Sequence, residues 1–159
     1  MFQLVSLLSI ALLTAVDQIT KRLILSTVKV DGPVEFLFDL FQLRYVENTG
    51  AAFSSFSDST LFLTVFTAAV IVACLFVILM RKVKPLFPNV CLVLIVSGGI
   101  GNLIDRILYG FVVDFIEPLF VDFAVFNFAD CCITVGVFML IGYEIYEIIR
   151  TSKKGEKND

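Results

Sequence analysis

The sequence predicts an all-α membrane protein with four transmembrane helices. Of its 159 residues, 58% are hydrophobic and 17% are charged, whereas soluble domains are about half apolar and about a quarter charged. Four apolar stretches have the length of roughly 20 residues that one bilayer crossing requires; they run approximately over 3–25, 60–80, 87–108 and 125–148. We expect a single integral-membrane domain over residues 1–159, because this length suits one domain.

The first stretch is predicted to be a retained helix and not a cleaved signal peptide. It lacks a positive region at its start, and it carries Asp17, Gln18 and Lys21 where a signal peptide would be apolar or would offer small residues. Together with Thr14, these residues share one helical face. Asp17 and Lys21 are four residues apart, a spacing that favours an ion pair.

The segment at 26–59 is predicted to contain a small sheet on the membrane surface. The stretch FQLRYVEN at 41–48 alternates apolar and polar residues, which is typical of a half-buried strand. The preceding stretch PVEFLFDLF at 33–41 is also strand-like, and it follows an Asp-Gly-Pro turn signal at 31–33.

Polar side chains in the later stretches are predicted to gather at one end of the helix bundle. The third stretch places Asn102 and Asp105 on one face with Arg106 beside them, and the fourth places Asn127 and Asp130 on one face. Three glycines in the third stretch favour close contact between helices. The two asparagines could instead serve only as hydrogen-bonded helix contacts, and Asp105 with Arg106 only as a packing clamp.

The distribution of cations predicts the orientation. The turn at 81–84 has three cations and no acid, the tail after residue 149 adds four cations, and the segment at 26–59 is acid-rich. Because cytoplasmic loops carry an excess of lysine and arginine, both termini and the 81–84 turn are expected in the cytoplasm. The segments 26–59 and 105–124 are then extracytoplasmic, as is the end of the bundle where the polar residues gather.

Two aspartates are candidates for chemistry. Asp114, in FVVDFI, and Asp130, in FNFAD, lie in otherwise apolar runs, and a carboxylate in a bilayer costs about 3 kcal/mol on insertion scales. Two such groups brought together share one proton, so that one can activate water while the other protonates a leaving group. The pair therefore indicates an aspartic hydrolase.

The nearby cations are too few for all of the carboxylates. Lys21, Arg44 and Arg106 are expected at this level, and Asp17 and Asp105 are expected to pair with two of them. Some carboxylate is then left without an obvious partner. Spacing alone does not select which two aspartates act together.

Composition excludes several classes of function. There is no histidine, which excludes a serine–histidine or cysteine–histidine nucleophile and a histidine-ligated metal. The four cysteines, at positions 74, 91, 131 and 132, lie in apolar runs and lack the C-x₂-C spacing of a zinc site. We expect no metal and no cofactor, and no basic stripe indicates nucleic-acid binding.

Three other functions fit parts of the pattern. Intramembrane Asp, Asn and Lys also mark proton- or ion-coupled transporters, but the cytoplasmic halves of the helices are nearly all Leu, Ile, Val and Phe. A non-catalytic scaffold would show small-residue stripes without spare carboxylates, and only the glycines of the third stretch fit. A serine–lysine peptidase using Lys21 would need a serine one turn away on the same face, and none is there.

Five ordered blocks of the sequence carry a family resemblance. They are VDQITK at 16–21, ENTGAAF at 47–53, GGIGNLIDR at 98–106, VVDF at 112–115 and FNFAD at 126–130. With these blocks the chain closely resembles the bacterial lipoprotein signal peptidases, also called type II signal peptidases. The blocks and their spacing extend over nearly the whole chain.

The resemblance implies four transmembrane helices with a small extracytoplasmic β-sheet cradle, in the bacterial cytoplasmic membrane. It implies an intramembrane aspartic endopeptidase that removes the signal peptide from diacylglyceryl-modified prolipoproteins, cleaving before the lipidated cysteine. The partners expected on this basis are the lipid-modified prolipoprotein and membrane lipid, and globomycin should compete with the substrate. We expect the protein to act as a monomer.

The resemblance also implies a role for each motif residue. Asp114 and Asp130 correspond to the catalytic dyad. The positions that line the substrate pocket are Asn48, Gly50, Asn102, Arg106 and Asn127. The positions of polar support are Asp17, Lys21 and Asp105. From the residues alone, Asn48 and Gly50 could instead form only a turn leading to the second helix.

Overall fold

The protein is mostly helical, with four long apolar helices and a small three-stranded antiparallel sheet. The computed structural model describes residues 2–50, 60–80 and 86–155. In chain order, the elements are α1 (Phe2–Ser26), α2 (Val28–Asp31), β1 (Val34–Phe36), β2 (Phe41–Asn48), α3 (Thr60–Leu79), α4 (Leu86–Tyr109), β3 (Val112–Pro118) and α5 (Phe128–Gly155). Helices α1, α3, α4 and α5 are long and apolar enough to cross a membrane. The predicted fold class is confirmed.

The helix bounds follow hydropathy closely except in α5. The first three helices agree with the predicted stretches to within one residue at each end, whereas α5 begins at Phe128 and extends beyond the predicted 125–148. Asn127 fixes this start, because its Oδ1 accepts a hydrogen bond from the backbone N of Asp130 at 2.9 Å, as a helix N-cap does. Phe126 is extended and forms a β-bridge with Ile116.

The sheet has the strand order β1-β2-β3, and both pairs are antiparallel. The strand predicted at 41–48 is confirmed as β2. The strand-like stretch at 33–41 is only partly a strand, since β1 has three residues. After it, Leu37, Phe38 and Asp39 adopt positive φ values of 52°, 57° and 60°, and this turn leads into β2.

One strand and one short helix lie outside the predicted elements. β3 pairs with β2 along its length, and its first four residues are buried. The short helix α2 follows α1 and ends at Gly32, whose φ is 96°. Ile24, Val28, Val113 and Phe115 form a buried apolar cluster, which fixes the sheet against the end of α1.

Helix α4 is the centre of the bundle. Of its most apolar stretch, 61% is buried inside the protein, compared with 11–17% for the other three long helices. A Cβ added to Gly98 would collide with the carbonyl oxygen of Ala129 in α5, and one added to Gly101 would collide with the carboxylate of Asp17 in α1. The predicted close helix contact at these glycines is confirmed.

The packing at Gly98 predicts a loss of stability when this residue gains a methyl group. Gly98→Ala should lower the free energy of unfolding by about 1–3 kcal/mol, because the added carbon forces α4 and α5 apart. Thermal unfolding of the detergent-purified protein measures the effect.

Gly142→Ala is the matched control, because Gly142 lies in α5 and an added Cβ meets nothing within 4 Å. Alanine there should leave the melting temperature unchanged or raise it, since alanine favours the helix over glycine. Equal melting temperatures for Gly98→Ala and the unsubstituted protein would contradict the packing described.

Candidate active site

A buried lysine forms the base of the site. The ammonium of Lys21 lies 3.0 Å from Asp17 Oδ2 and 2.8 Å from Asp105 Oδ2, and it donates to Asn102 Oδ1 at 2.9 Å. Lys21 and the two aspartates are at most 2% exposed. The three ammonium protons thus have three acceptors, and the ion pair predicted between Asp17 and Lys21 is confirmed. A lysine held in this way is not free to serve as the base of a serine–lysine peptidase.

One lysine serves both aspartates, so the prediction that Asp17 and Asp105 use two cations is wrong. The alternative in which Asp105 pairs with Arg106 is also wrong, because Asp105 turns toward Lys21. Arg106 instead donates from Nη2 to the carbonyl oxygen of Gly50 at 3.3 Å. Its Nε is buried and has no hydrogen-bond partner among the residues that the structure describes.

The same buried charges fix the backbone beside each candidate catalytic residue. Asp17 Oδ1 accepts a hydrogen bond at 3.0 Å from the backbone N of the residue just before Asp130. Asp105 Oδ2 accepts one, also at 3.0 Å, from the backbone N of the residue just before Asp114. The ion cluster therefore positions the first turn of α5 and the start of β3 relative to each other.

Asp114 and Asp130 are held on either side of one asparagine. Asn127 donates from Nδ2 to Asp114 Oδ1 at 2.6 Å and from its backbone N to Asp130 Oδ2 at 3.1 Å. The remaining oxygens accept from Asn48 Nδ2, 2.8 Å from Asp114 Oδ2, and from Asn102 Nδ2, 2.7 Å from Asp130 Oδ1. Every carboxylate oxygen of the pair thus accepts a hydrogen bond from a neutral N–H group.

The lysine determines how the amide of Asn102 is oriented. Asn102 Oδ1 accepts from the ammonium of Lys21 and from Asn127 Nδ2, the latter at 3.1 Å. Reversing the amide would direct its NH₂ group at two donors, so the NH₂ group faces Asp130 instead. A charge on α1 thereby fixes a hydrogen bond to a carboxylate on α5.

The environment of Asp114 makes its charged form unfavourable. Burial, with the nearby charge of Asp130, raises the pKa of Asp114 to about 7, although hydrogen bonds from Asn48 and Asn127 act in the opposite direction. Near neutral pH this carboxyl can hold a proton or release it, which acid–base chemistry requires.

Both aspartates border one cavity of about 430 Å³. The predicted site residues that line it are Asn48, Gly50, Asn102, Arg106, Asp114 and Asp130. Its apolar wall includes Phe123, Val125, Phe126, Ile133 and Val135. Asn127 was expected to line this pocket, but it lies behind the wall, fully buried between the carboxylates and Asn102.

Some residues of the site lie outside the predicted set. Gln18 donates to Asp105 Oδ1 at 3.0 Å and to the carbonyl oxygen of Gly101 at 3.1 Å, and its place on the polar face of α1 was the only signal. The apolar residues at 123–126 adjoin the FNFAD block, but nothing in their composition marks a cavity wall. The block ENTGAAF beyond Gly50 and the turn at 81–84 lie outside the described residues.

Comparison with known proteins places these motifs in one family. The family model for signal peptidase (SPase) II matches residues 9–146. The chain belongs to the signal peptidase II family. The matched range contains every predicted site residue, from Asp17 to Asp130.

Curated members of the signal peptidase II family are similar over most of their length. The lipoprotein signal peptidase of Streptococcus thermophilus (strain CNRZ 1066) is 40% identical over 133 residues, which cover 84% of this chain and 87% of that protein. The one from Streptococcus pyogenes serotype M5 (strain Manfredo) is 40% identical over 134 residues, covering 84% and 88%. A solved bacterial membrane enzyme, obtained by the in meso method, superposes with a TM-score of 0.83 at 33% identity, covering 94% of this chain and 91% of that one. A second superposes with a TM-score of 0.77, also at 33% identity, covering 86% and 90%.

The ion cluster predicts that Lys21 is essential for stability. Lys21→Met should lower the free energy of unfolding by about 3–5 kcal/mol, because it leaves two buried carboxylates without their cation. Chemical or thermal unfolding in detergent measures the loss.

Lys29→Met is the control for this substitution. Lys29 pairs with Glu47 at 3.5 Å, but both side chains are close to half exposed, so its removal should leave the melting temperature unchanged. If the two variants melted at the same temperature, the buried cluster would not have the role assigned to it.

Proposed function

We propose that this protein is an intramembrane aspartic endopeptidase. It removes the signal peptide from diacylglyceryl-modified prolipoproteins and cleaves the bond before the lipidated cysteine. Membership of the signal peptidase II family supports a protease that acts on prolipoprotein signal peptides. The main support for the aspartic mechanism is that Asp114 and Asp130 both line one cavity and are both hydrogen-bonded to Asn127.

In the proposed reaction, Asp114 enters with the shared proton and Asp130 enters ionised. Asp130 accepts a proton from a water molecule as the water oxygen attacks the scissile carbonyl carbon, and Asp114 donates its proton to the carbonyl oxygen. The resulting diol collapses as the C–N bond breaks. Asp130 passes its proton to the departing amine, and a diol hydroxyl returns one to Asp114. Burial and the nearby charge of Asp130 raise the pKa of Asp114 to about 7, so this carboxyl can hold the shared proton near neutral pH.

Arg106 is proposed to bind the reacting carbonyl group. Its side chain lines the cavity that both aspartates border, and its Nη2 donates to the carbonyl oxygen of Gly50, which lines the same cavity. A donor aimed at a site where negative charge develops stabilises the transition state more than the ground state. Asn48 and Gly50 also line the cavity, and Asn102 donates a hydrogen bond to Asp130, the proposed base. We propose that these three residues and Arg106 form the substrate pocket.

The proposed location is the bacterial cytoplasmic membrane, with both termini in the cytoplasm and the site toward the extracytoplasmic face. The geometry of the described helices supports it: α1 starts far from the site and reaches it at Lys21, and α5 starts at the site and ends at the far side. The cations at 150 and 153 lie at that far end, as the excess of positive charge on the cytoplasmic side requires. We propose that the chain acts as one domain and as a monomer.

The dyad predicts that either neutral substitution abolishes cleavage. Asp114→Asn and Asp130→Asn should each reduce kcat by about a hundredfold or more, because neither variant can both accept and donate the shared proton. A gel-shift assay with a diacylglyceryl-modified prolipoprotein, with and without globomycin, measures cleavage.

Asp31→Asn serves as the matched control, since Asp31 is exposed and ends α2. It should cleave at the unsubstituted rate and remain sensitive to globomycin. Normal cleavage by either dyad variant, with its melting temperature retained, would rule out the aspartic mechanism.

The raised pKa of Asp114 predicts the direction of the pH dependence. Below about 7 the carboxyl holds its proton, and above this value it loses it, so kcat/KM should fall about tenfold per pH unit on the alkaline side. Initial rates between pH 5 and about 9, with a lipopeptide that has no group titrating in this range, give the profile. A rate that stays constant or rises through the alkaline range would assign the proton to another group.

A further inference from the structure

A second cavity adjoins Asp114 on the side of the sheet. Its volume is about 590 Å³, and it shares five lining residues with the first cavity: Asn48, Asp114, Phe123, Ala124 and Val125. Asp114 therefore stands between two spaces. A substrate whose scissile bond lies at this carboxyl has room to extend into both of them.

The two cavities differ in chemistry. The first continues along α5, where Val135 is 49% exposed on a helix that is long and apolar enough to cross a membrane. The second is bounded by β2, β3 and the residues after β3, and the lining residues that belong to it alone are Arg44, Val46, Glu47, Thr49, Glu117 and Asp122. The first space is mostly apolar and runs beside a helix long enough to cross a membrane, and the second is charged and lies outside the long helices.

The charged wall of the second cavity is negative overall. Arg44 is already matched, because its Nε lies 2.8 Å from Glu117. Glu47 is engaged by Lys29 at 3.5 Å and by the hydroxyl of Tyr45 at 2.7 Å. These two acids are therefore compensated within the protein.

Asp122 supplies the uncompensated charge. It is exposed, and within the described ranges of the chain it has neither a hydrogen bond nor an ion pair. A carboxylate that borders a cavity and has no partner of its own can pair with a cation that enters the cavity.

We infer that the second cavity is the binding subsite for the residues that follow the lipid-modified cysteine, and that it favours lysine or arginine over glutamate or aspartate there. This inference rests on the proposed function, which places the scissile bond at Asp114. The apolar signal segment and the acyl chains belong with the first cavity, because its wall along α5 is apolar and keeps them out of water. The polar chain after the cysteine then leaves along the sheet, past Asp122.

The test compares two lipopeptides that differ only at the second and third residues after the cysteine, Lys-Lys in one and Glu-Glu in the other. With the intact protein in zwitterionic micelles at low salt, kcat/KM should be about three- to tenfold higher for the lysine peptide, and the difference should lie in KM. The ratio should fall toward one as salt is raised, because exposed charges are screened. Equal kcat/KM values for the two peptides at low salt would overturn the inference.

Asp122→Lys tests the assigned residue, and the ratio should be abolished or inverted. Asp122→Asn should reduce it without inverting it. Asp31→Lys makes the same change of charge at an exposed residue that does not line the cavity, and it should keep the ratio. The inference would be overturned if Asp122→Lys left the ratio of kcat/KM values unchanged. It would also be overturned if Asp31→Lys lost the ratio equally, since the preference would then come from the overall surface charge.

Failure of the inference can be distinguished from failure of the proposed function. The Asp130→Asn variant, tested with fluorescent forms of the two lipopeptides, should bind the lysine peptide more tightly although it cannot cleave it. Cleavage by this variant would contradict the proposed dyad, and the preference between the two peptides could still be measured. If the variant were inactive but bound both peptides equally, the proposed subsite would be contradicted and the dyad assignment would stand.

Discussion

The structure depends on the burial of one ammonium group between two carboxylates. Lys21 and its partners Asp17 and Asp105 are almost completely inaccessible, and each buried ion carries a large desolvation cost that only close pairing and further hydrogen bonds offset. Here the further hydrogen bonds come from the backbone beside Asp114 and Asp130. The arrangement that satisfies the buried charges is therefore also the one that positions the candidate dyad.

The dyad itself is held by neutral groups, and this has a chemical consequence. A cation in direct contact with a carboxylate holds its pKa well below the usual range, whereas burial and a second carboxylate raise it. Asp114 is bound by the amides of Asn48 and Asn127, while Lys21 contacts Asn102, which in turn donates to Asp130. The protein thus fixes the geometry of two acids without neutralising them, and the pKa of Asp114 stays near 7.

Hydropathy and spacing predicted the four helices, the strand β2 and the ion pair on α1, because these depend on local patterns. They did not predict β3, since its first four residues are all buried and so lack the alternation that marks a half-exposed strand. They also overestimated the number of cations that Asp17 and Asp105 require. Lys21 on α1 can pair with Asp105 on α4 because Gly101 lets the two helices approach closely. Hydropathy and spacing did not predict that Asn127 caps α5 and lies between two carboxylates, because this role depends on the tertiary structure.

The extent of the polar network separates a peptidase from a transporter. Below the ion cluster, Thr14 donates to the carbonyl oxygen of Ser97, and the core beyond them consists of apolar residues that include Ile10, Leu92, Val93 and Val96. Ser6 and Asn89 form a further buried hydrogen bond toward the other end, but they bond to each other and are separated from the site by that apolar core. A path for ions would require polar groups through this layer, and the described residues place apolar side chains there. The polar groups instead end beside two cavities, one mostly apolar and one charged, which suits the lipid-modified peptide substrate proposed above.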